Sequence, residues 1–79
     1  MSTDYYTVAR QVSELLNVAG YNEQSRALVD AIEQGATATE ILMGLRYHLA
    51  TAMEIDDLDE EVRLRICQLH REIKVALNR

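Results

Sequence analysis

The 79-residue chain contains no phenylalanine, tryptophan or proline, and only one cysteine and three glycines. Its core must therefore be built mainly from aliphatic side chains, which favours helices over a β-sheet. Without proline, no helical pattern is broken from within, so the glycines become the main signals for helix ends. No apolar run approaches the roughly 20 residues that cross a bilayer, and we expect no membrane insertion.

The single cysteine, Cys67, cannot form a disulfide within the chain, and the first residues, Met1 to Asp4, are polar. A secretory signal would instead combine a basic stretch with an apolar run. We therefore expect a cytoplasmic protein with a reduced thiol. A chain of this length predicts one domain, residues 1–79, with a small and simple core.

Charge is unevenly distributed along this acidic chain, whose net charge is −5. Residues 54–61, "EIDDLDEE", hold six of the 13 acidic groups, whereas residues 62–79 are mainly basic. Nucleic-acid binding depends on neutralising phosphates with lysine and arginine, so the overall balance argues against it. A charged partner is expected to be basic.

Glycines delimit the first two predicted helices. The first starts within residues 2–4 and runs to about Val18, followed by Gly20 in the left-handed position that ends a helix. The second starts with Asn22 as its N-cap and is ended by Gly35 in the same manner.

The third helix has the clearest start signal, "TATE", in which Thr37 accepts from the Glu40 N–H and the Glu40 side chain returns to the Thr37 N–H. Its main apolar stripe is accompanied by Met43, Tyr47 and Ala50 on the opposite side. Two explanations stand: the helix is central and packs on two sides, or the Met43 and Tyr47 side is left open for a partner or a second copy.

The fourth helix covers about residues 58–77 and is capped by Asp57 or Asp59. Its apolar positions follow alternating steps of four and three residues. Two pairs of opposite charge support it, Asp59 with Arg63 and Glu61 with Arg65. Short connections between the four helices predict an all-α, compact, antiparallel four-helix bundle-like domain.

No pattern in the sequence indicates catalysis, a cofactor or a metal site. An EF-hand beginning at Asp57 would need glycine and glutamate where Val62 and Gln68 stand. His48 and His70 form no HExxH pair and have no cysteine at zinc spacing. We expect a protein that is not an enzyme and binds no cofactor.

The only aromatic residues are four tyrosines, which serve both as partial core residues and as interface anchors. Tyr5 has core spacing, and Tyr21 precedes the second helix as a staple. Tyr6 and Tyr47 are therefore the expected exposed aromatic contacts.

The stretch "AGY" at residues 19–21, followed by "GATATEILMGLRYHL" at residues 35–49 and a charged last helix, resembles short acidic all-helical bacterial proteins of poorly defined function. These proteins are loosely similar to toxin-immunity proteins. The resemblance covers about residues 5–77, and its motifs are caps and packing residues. It implies a helical fold and a toxin-neutralising role, without catalytic residues.

The main hypothesis is a non-enzymatic protein-binding module, an acidic immunity-type inhibitor that occludes a basic toxin surface such as a nuclease active site. The alternative is a homodimeric structural or regulatory helix bundle, and a small-ligand enzyme or carrier is the weakest option. The acidic run also has a plain explanation as a solvated helix start. The expected partner-binding residues are Glu54, Asp56, Asp57, Asp59, Glu60, Glu61, Tyr6, Met43 and Tyr47.

Overall fold

A computed structural model describes residues 4–79 as four α-helices joined by short connections. They are α1 (Tyr5–Val18), α2 (Asn22–Gln34), α3 (Ala38–Ala52) and α4 (Glu60–Leu77). α1 and α3 each pack against both α2 and α4, so the helices form a ring around one core. The predicted all-α, four-helix bundle-like fold is confirmed. Of the predicted start of the first helix, residues 2 and 3 lie outside the described part, and Asp4 is the N-cap.

Aliphatic side chains from all four helices form the core, as the absence of phenylalanine and tryptophan requires. α4 contributes the continuous seam predicted from its spacing, and Leu58 in the preceding loop closes one end. The fully or almost fully buried apolar residues are Ala9, Val12, Leu16, Leu28, Leu45, Leu49, Ala52, Leu58, Val62, Ile66, Leu69 and Ile73. In the described part of the chain, no helix is both long and apolar enough to cross a membrane.

The turn between α1 and α2 depends on Gly20, whose φ of 95° lies in the left-handed region that favours glycine. The Gly20 N–H donates to the Asn17 carbonyl, and the Tyr21 N–H donates to the Leu16 carbonyl at 2.9 Å. These two bonds make a Schellman motif. Asn22 was predicted as the N-cap of α2, which is wrong by one residue. Because the motif ends at Tyr21, the chain enters α2 directly at Asn22, and Tyr21 takes the cap position without a side-chain bond.

Gly35 ends α2 for a different reason from the predicted one. Its φ of −70° and ψ of 134° are extended, so the left-handed position predicted there is wrong. A side chain at Gly35 would collide with Ile41 at the start of α3. Gly44 has a related role, because a Cβ there would lie 3.2 Å from the Ala31 Cβ on α2. Glycine thus allows α2 and α3 to approach closely.

The start of α3 confirms Thr37 as the N-cap, with its hydroxyl accepting from the Glu40 N–H at 3.1 Å. The returning bond differs from the prediction, because the Glu40 carboxylate accepts from the Ala36 N–H at 3.3 Å and not from Thr37. Gly35 is extended, and the N–H of the next residue, Ala36, lies within reach of Glu40. α4 begins at Glu60, two residues after the predicted start, because the Asp59 side chain caps it by accepting from Glu61 and Val62.

Candidate protein-interaction surfaces

The acidic segment, residues 54–61, comprises most of the connection from α3 to α4 and the first two residues of α4, Glu60 and Glu61. All six of its carboxylate side chains are exposed: Glu54, Asp56, Asp57, Asp59, Glu60 and Glu61. Its two apolar residues point the other way, since Leu58 is buried and Ile55 is half-buried against the core. The segment therefore presents all of its carboxylates to solvent at this end of the bundle, called here the acidic end.

Arg63 fixes the acidic segment to the body of the bundle. One guanidinium nitrogen donates to the Met53 carbonyl, and the other donates to the Ile55 carbonyl at 2.6 Å. Both carbonyls belong to the chain just beyond the end of α3, where helical partners run out. The predicted pair with Asp59 is wrong, because Asp59 caps α4 while Arg63 serves these carbonyls. The Arg63 bonds and the Asp59 cap thus attach both ends of the acidic segment to α4.

The remaining charge contacts of the acidic segment are weak. The predicted pair Glu61 with Arg65 is confirmed at 3.8 Å, with both side chains largely in solvent. An exposed ion pair of this kind contributes little. Asp59, Glu60 and Glu61 also lie at the positive end of the α4 dipole, which moderates their mutual repulsion. The geometry leaves most of the negative charge available to a partner.

The predicted aromatic and methionine contacts lie apart from the acidic segment. Tyr6, at the start of α1, is half-buried against the core, so its predicted exposure is wrong. It also lies at the opposite end of the bundle, because α1 and α4 are antiparallel: Val8 shares a groove with Glu72, while Glu14 lies near Glu61. Tyr6 is therefore not part of one site with the acidic segment.

Met43 and Tyr47 are exposed, by 50% and 68%. α3 does pack on two sides, against α2 and α4, as the first explanation required. Yet neither α2 nor α4 covers the Met43 and Tyr47 side chains. Their apolar surface therefore remains exposed to solvent within the single chain. The one aromatic contact of Tyr47 within residues 4–79 is with the ring of His48. The two rings meet edge-on, with their centres 5.1 Å apart.

α4 carries two further exposed apolar residues, Leu64 at 61% and Val75 at 54%. They are eleven residues apart, which is just over three helical turns, so they lie on one ridge of α4. Met43 and Tyr47 are exposed on the neighbouring helix α3, and we call the outward-pointing residues of α3 and α4 together the outer face. Its basic members are Arg46, Arg71 and Lys74.

A shallow groove of the outer face runs between α3 and α4 and is lined by Met53, Cys67, His70 and Lys74, among others. The Cys67 thiol lies 3.1 Å from the Met53 sulfur. Burial lowers the pKa of His70, and the positive charges of Lys74 and then Arg46 lower it further. Two positive charges, those of Lys74 and Arg46, thus lie close enough to His70 to disfavour its protonation, while the acidic end lies beyond Met53.

Residues 4–79 contain no group of three or more histidine, cysteine, aspartate or glutamate side chains that could hold a metal ion. One groove between α1 and α4, of about 310 Å³, is open and lined by mixed residues such as Gln11, Leu15 and Gln68. The residues that line it include no nucleophile beside a base.

Comparisons of the chain with known protein families, curated proteins and solved structures found no match. Its function must therefore be argued from its surfaces.

Two contributors were missed by the sequence analysis. Arg63 was assigned to an ion pair, although a basic residue on the first turn of α4 facing the end of α3 is well placed to bind free carbonyls. The outer-face residues Leu64 and Val75 were also missed. Their signal was present in the sequence, as apolar positions outside the seam of α4 and three turns apart.

Proposed function

We propose that this protein is a non-enzymatic protein-binding module, an acidic inhibitor of the immunity type that covers a basic surface on a protein partner such as a toxin. The observation that carries the proposal is the acidic segment. It directs six carboxylates to solvent while its two apolar residues and Arg63 anchor it.

Preorganisation supports a role in binding. A flexible acidic loop would lose conformational entropy when ordered by a partner, whereas an anchored one has already incurred that cost in folding. Clustered negative charge accelerates encounter with a basic surface and makes the association rate sensitive to salt. Occlusion needs no catalytic group, only a rigid surface of complementary charge.

The test compares association rates of wild type and the triple variant Asp56→Asn, Asp57→Asn and Glu60→Gln with a basic partner isolated by affinity capture. Stopped-flow measurements at several ionic strengths should show slower association for the variant and a flatter dependence on salt. Its free energy of unfolding should change by no more than about 1 kcal/mol, because these side chains are exposed.

A matched control removes the same amount of negative charge elsewhere, through Glu14→Gln, Glu33→Gln and Glu72→Gln on α1, α2 and α4. This control changes net charge equally and leaves the acidic segment intact. It should retain most of the association rate. Equal rates and equal salt slopes for wild type and the acidic-segment variant would refute the proposal.

A second candidate function is a homodimeric structural or regulatory bundle. The observation that favours it is the distribution of exposed large apolar residues: of Val18, Met43, Tyr47, Leu64 and Val75, all but Val18 lie on α3 and α4. Sedimentation of the purified protein tests it directly, because a dimer doubles the 9.0 kDa mass of the chain. A monomer at all concentrations would exclude it.

A further inference from the structure

We propose that the outer face binds a second copy of this chain, about a two-fold axis that lies in the interface and runs perpendicular to the helices. This inference rests on the second candidate function and adds its geometry. The acidic end of each copy then lies against the basic end of the other, and α4 crosses α4 of the second copy in antiparallel orientation.

The first step is the chemistry of the outer face. Exposed Met43 and Tyr47 belong to residue types that are enriched in interface cores, and Leu64 and Val75 add exposed aliphatic surface. Arginine, as in Arg71 between Leu64 and Val75 on α4, is enriched there as well. The opposite side of the bundle differs, since the groove between α1 and α2 is lined mainly by polar residues such as Glu14, Asn17, Arg26 and Glu33.

The second step is size. The described chain measures 33 × 22 × 22 Å along its principal axes. One long side therefore spans 33 by 22 Å, which is of the same order as the ~800 Å² of accessible surface that each partner buries in a standard stable interface. A dimer interface of standard size would therefore occupy about one whole side of the bundle.

The third step is charge, which selects the symmetry. Acidic groups are concentrated where α3 ends and α4 begins, whereas Arg46, Arg71, Lys74 and Arg79 lie along or beyond the other part of the same side. A two-fold axis parallel to the helices would superpose the two acidic ends, which repel. An axis perpendicular to the helices places each acidic end against a basic end, so one surface becomes complementary to itself.

This symmetry also pairs the exposed apolar residues of α4. Leu64 and Val75 lie at nearly equal distances on either side of the stretch between Gln68 and Arg71. In an antiparallel crossing centred there, Leu64 of each copy lies against Val75 of the other. Glu60 is then level with Arg79 of the second copy, with Glu61 next to it, the contact that the charge distribution favours.

The first experiment measures self-association by sedimentation equilibrium over about 10 μM to 1 mM at low and high salt, a range that covers the weak Kd expected of a small interface. Wild type should form a dimer whose Kd rises with salt. Leu64→Glu and Tyr47→Glu should each raise the Kd at least about tenfold by placing an unpaired charge in the interface. Val18→Glu is the matched control, since Val18 is 79% exposed on α1 and outside the face, and it should leave the Kd unchanged.

The second experiment tests the geometry by cross-linking, in a Cys67→Ser background whose helicity is checked by circular dichroism. A mixture of Leu64→Cys and Val75→Cys chains should form a disulfide-linked heterodimer on mild oxidation, and neither chain alone should link to itself efficiently. Val18→Cys mixed with Val75→Cys is the control and should not link.

The two experiments separate the two claims. A monomer throughout the concentration range overturns both the homodimer and this geometry, while leaving the acidic inhibitor proposal untouched. A dimer in which Leu64→Cys chains link to themselves, or in which the mixed chains do not link, keeps the homodimer and overturns the antiparallel arrangement. A salt-insensitive dimer would likewise remove the electrostatic basis for the chosen symmetry.

Discussion

Replacement of Arg63 by methionine tests whether the hydrogen bonds of Arg63 fix the acidic segment to the bundle. Methionine keeps most of the length and the apolar stem of arginine but donates no hydrogen bond. The variant therefore frees the carbonyls of Met53 and Ile55, which lie beyond the last turn of α3 and have the guanidinium as their side-chain partner. Ile55 and Leu58 would then be the remaining anchors of the segment.

The expected loss follows from the two bonds. A hydrogen bond that involves a charged group contributes about 1.5–3 kcal/mol. Arg63 is only half-buried, so water replaces part of each bond in the variant. We therefore expect about 2 kcal/mol in total, less than the roughly 3–6 kcal/mol that two fully buried bonds of this kind would contribute. For a domain of this size, 1 kcal/mol corresponds to about 4–8 °C, so the midpoint of thermal unfolding should fall by roughly 10 °C.

The assay is urea and thermal unfolding followed by circular dichroism, with Arg65→Met as the matched control. Arg65 lies on the same helix, carries the same side chain and makes only the exposed contact with Glu61 at 3.8 Å. Its loss should cost no more than about 0.5 kcal/mol. If the two variants unfold within about 0.5 kcal/mol of each other, Arg63 does not anchor the segment and the preorganisation argument fails.

Three further outcomes are expected from the fold. Leu45→Ala should lower the free energy of unfolding by about 2–5 kcal/mol, because the side chain is fully buried at the centre of α3, and a loss under about 1 kcal/mol would contradict that position. Thr37→Ala should cost about 0.5–2 kcal/mol by removing the cap of α3, whereas Thr39→Ala, at an exposed position two residues later in the first turn, should cost less. Because the pKa of His70 lies below its ordinary value of 6.5 when folded, the unfolded chain binds more protons and stability should fall as pH drops below about 7; His70→Gln should reduce that decline, measured as the thermal midpoint from pH 7.5 to 5.5.

Local signals in the sequence predicted the helices well. The number of helices, Gly20 as a left-handed turn, Thr37 and Asp59 as caps, and the buried seam of α4 all follow from interactions within about five residues. Such interactions depend little on the rest of the fold. For the same reason the boundaries were wrong by only one or two residues.

Contacts between elements could not be predicted in the same way. Gly35 was expected to be left-handed, but its role is to avoid Ile41, a collision that exists only once α2 and α3 have packed. Likewise Asp59, four residues before Arg63, made an ion pair the natural prediction. Only the folded chain brings the carbonyls of Met53 and Ile55 within reach of Arg63. The hydroxyl of Ser13 bonding to Ser25 across α1 and α2 in the core is a third case.

The candidate sites show the same division. Composition predicted that the acidic segment would be exposed, because six carboxylates in eight residues cannot be buried without partners. It could not predict whether Met43 and Tyr47 would be covered, since helical periodicity gives the direction of a side chain but not the presence of a neighbour in that direction. The packing of α3 between α2 and α4 leaves them on the outside of both contacts.

The two proposed surfaces are linked through Glu60 and Glu61, which would face the basic end of a second copy in the dimer and a basic protein in the inhibitory complex. If both binding events use these carboxylates, each must weaken the other by the same factor, because coupling free energy is reciprocal. Asp56 and Asp57, in the loop before α4, remain exposed in either case. Association with the basic partner should therefore become faster per chain when the protein is diluted below the Kd of its dimer, and Leu64→Glu should give the faster rate at every concentration. A rate per chain that is independent of dilution in wild type, in a protein shown to dimerise, would mean that the two surfaces act independently.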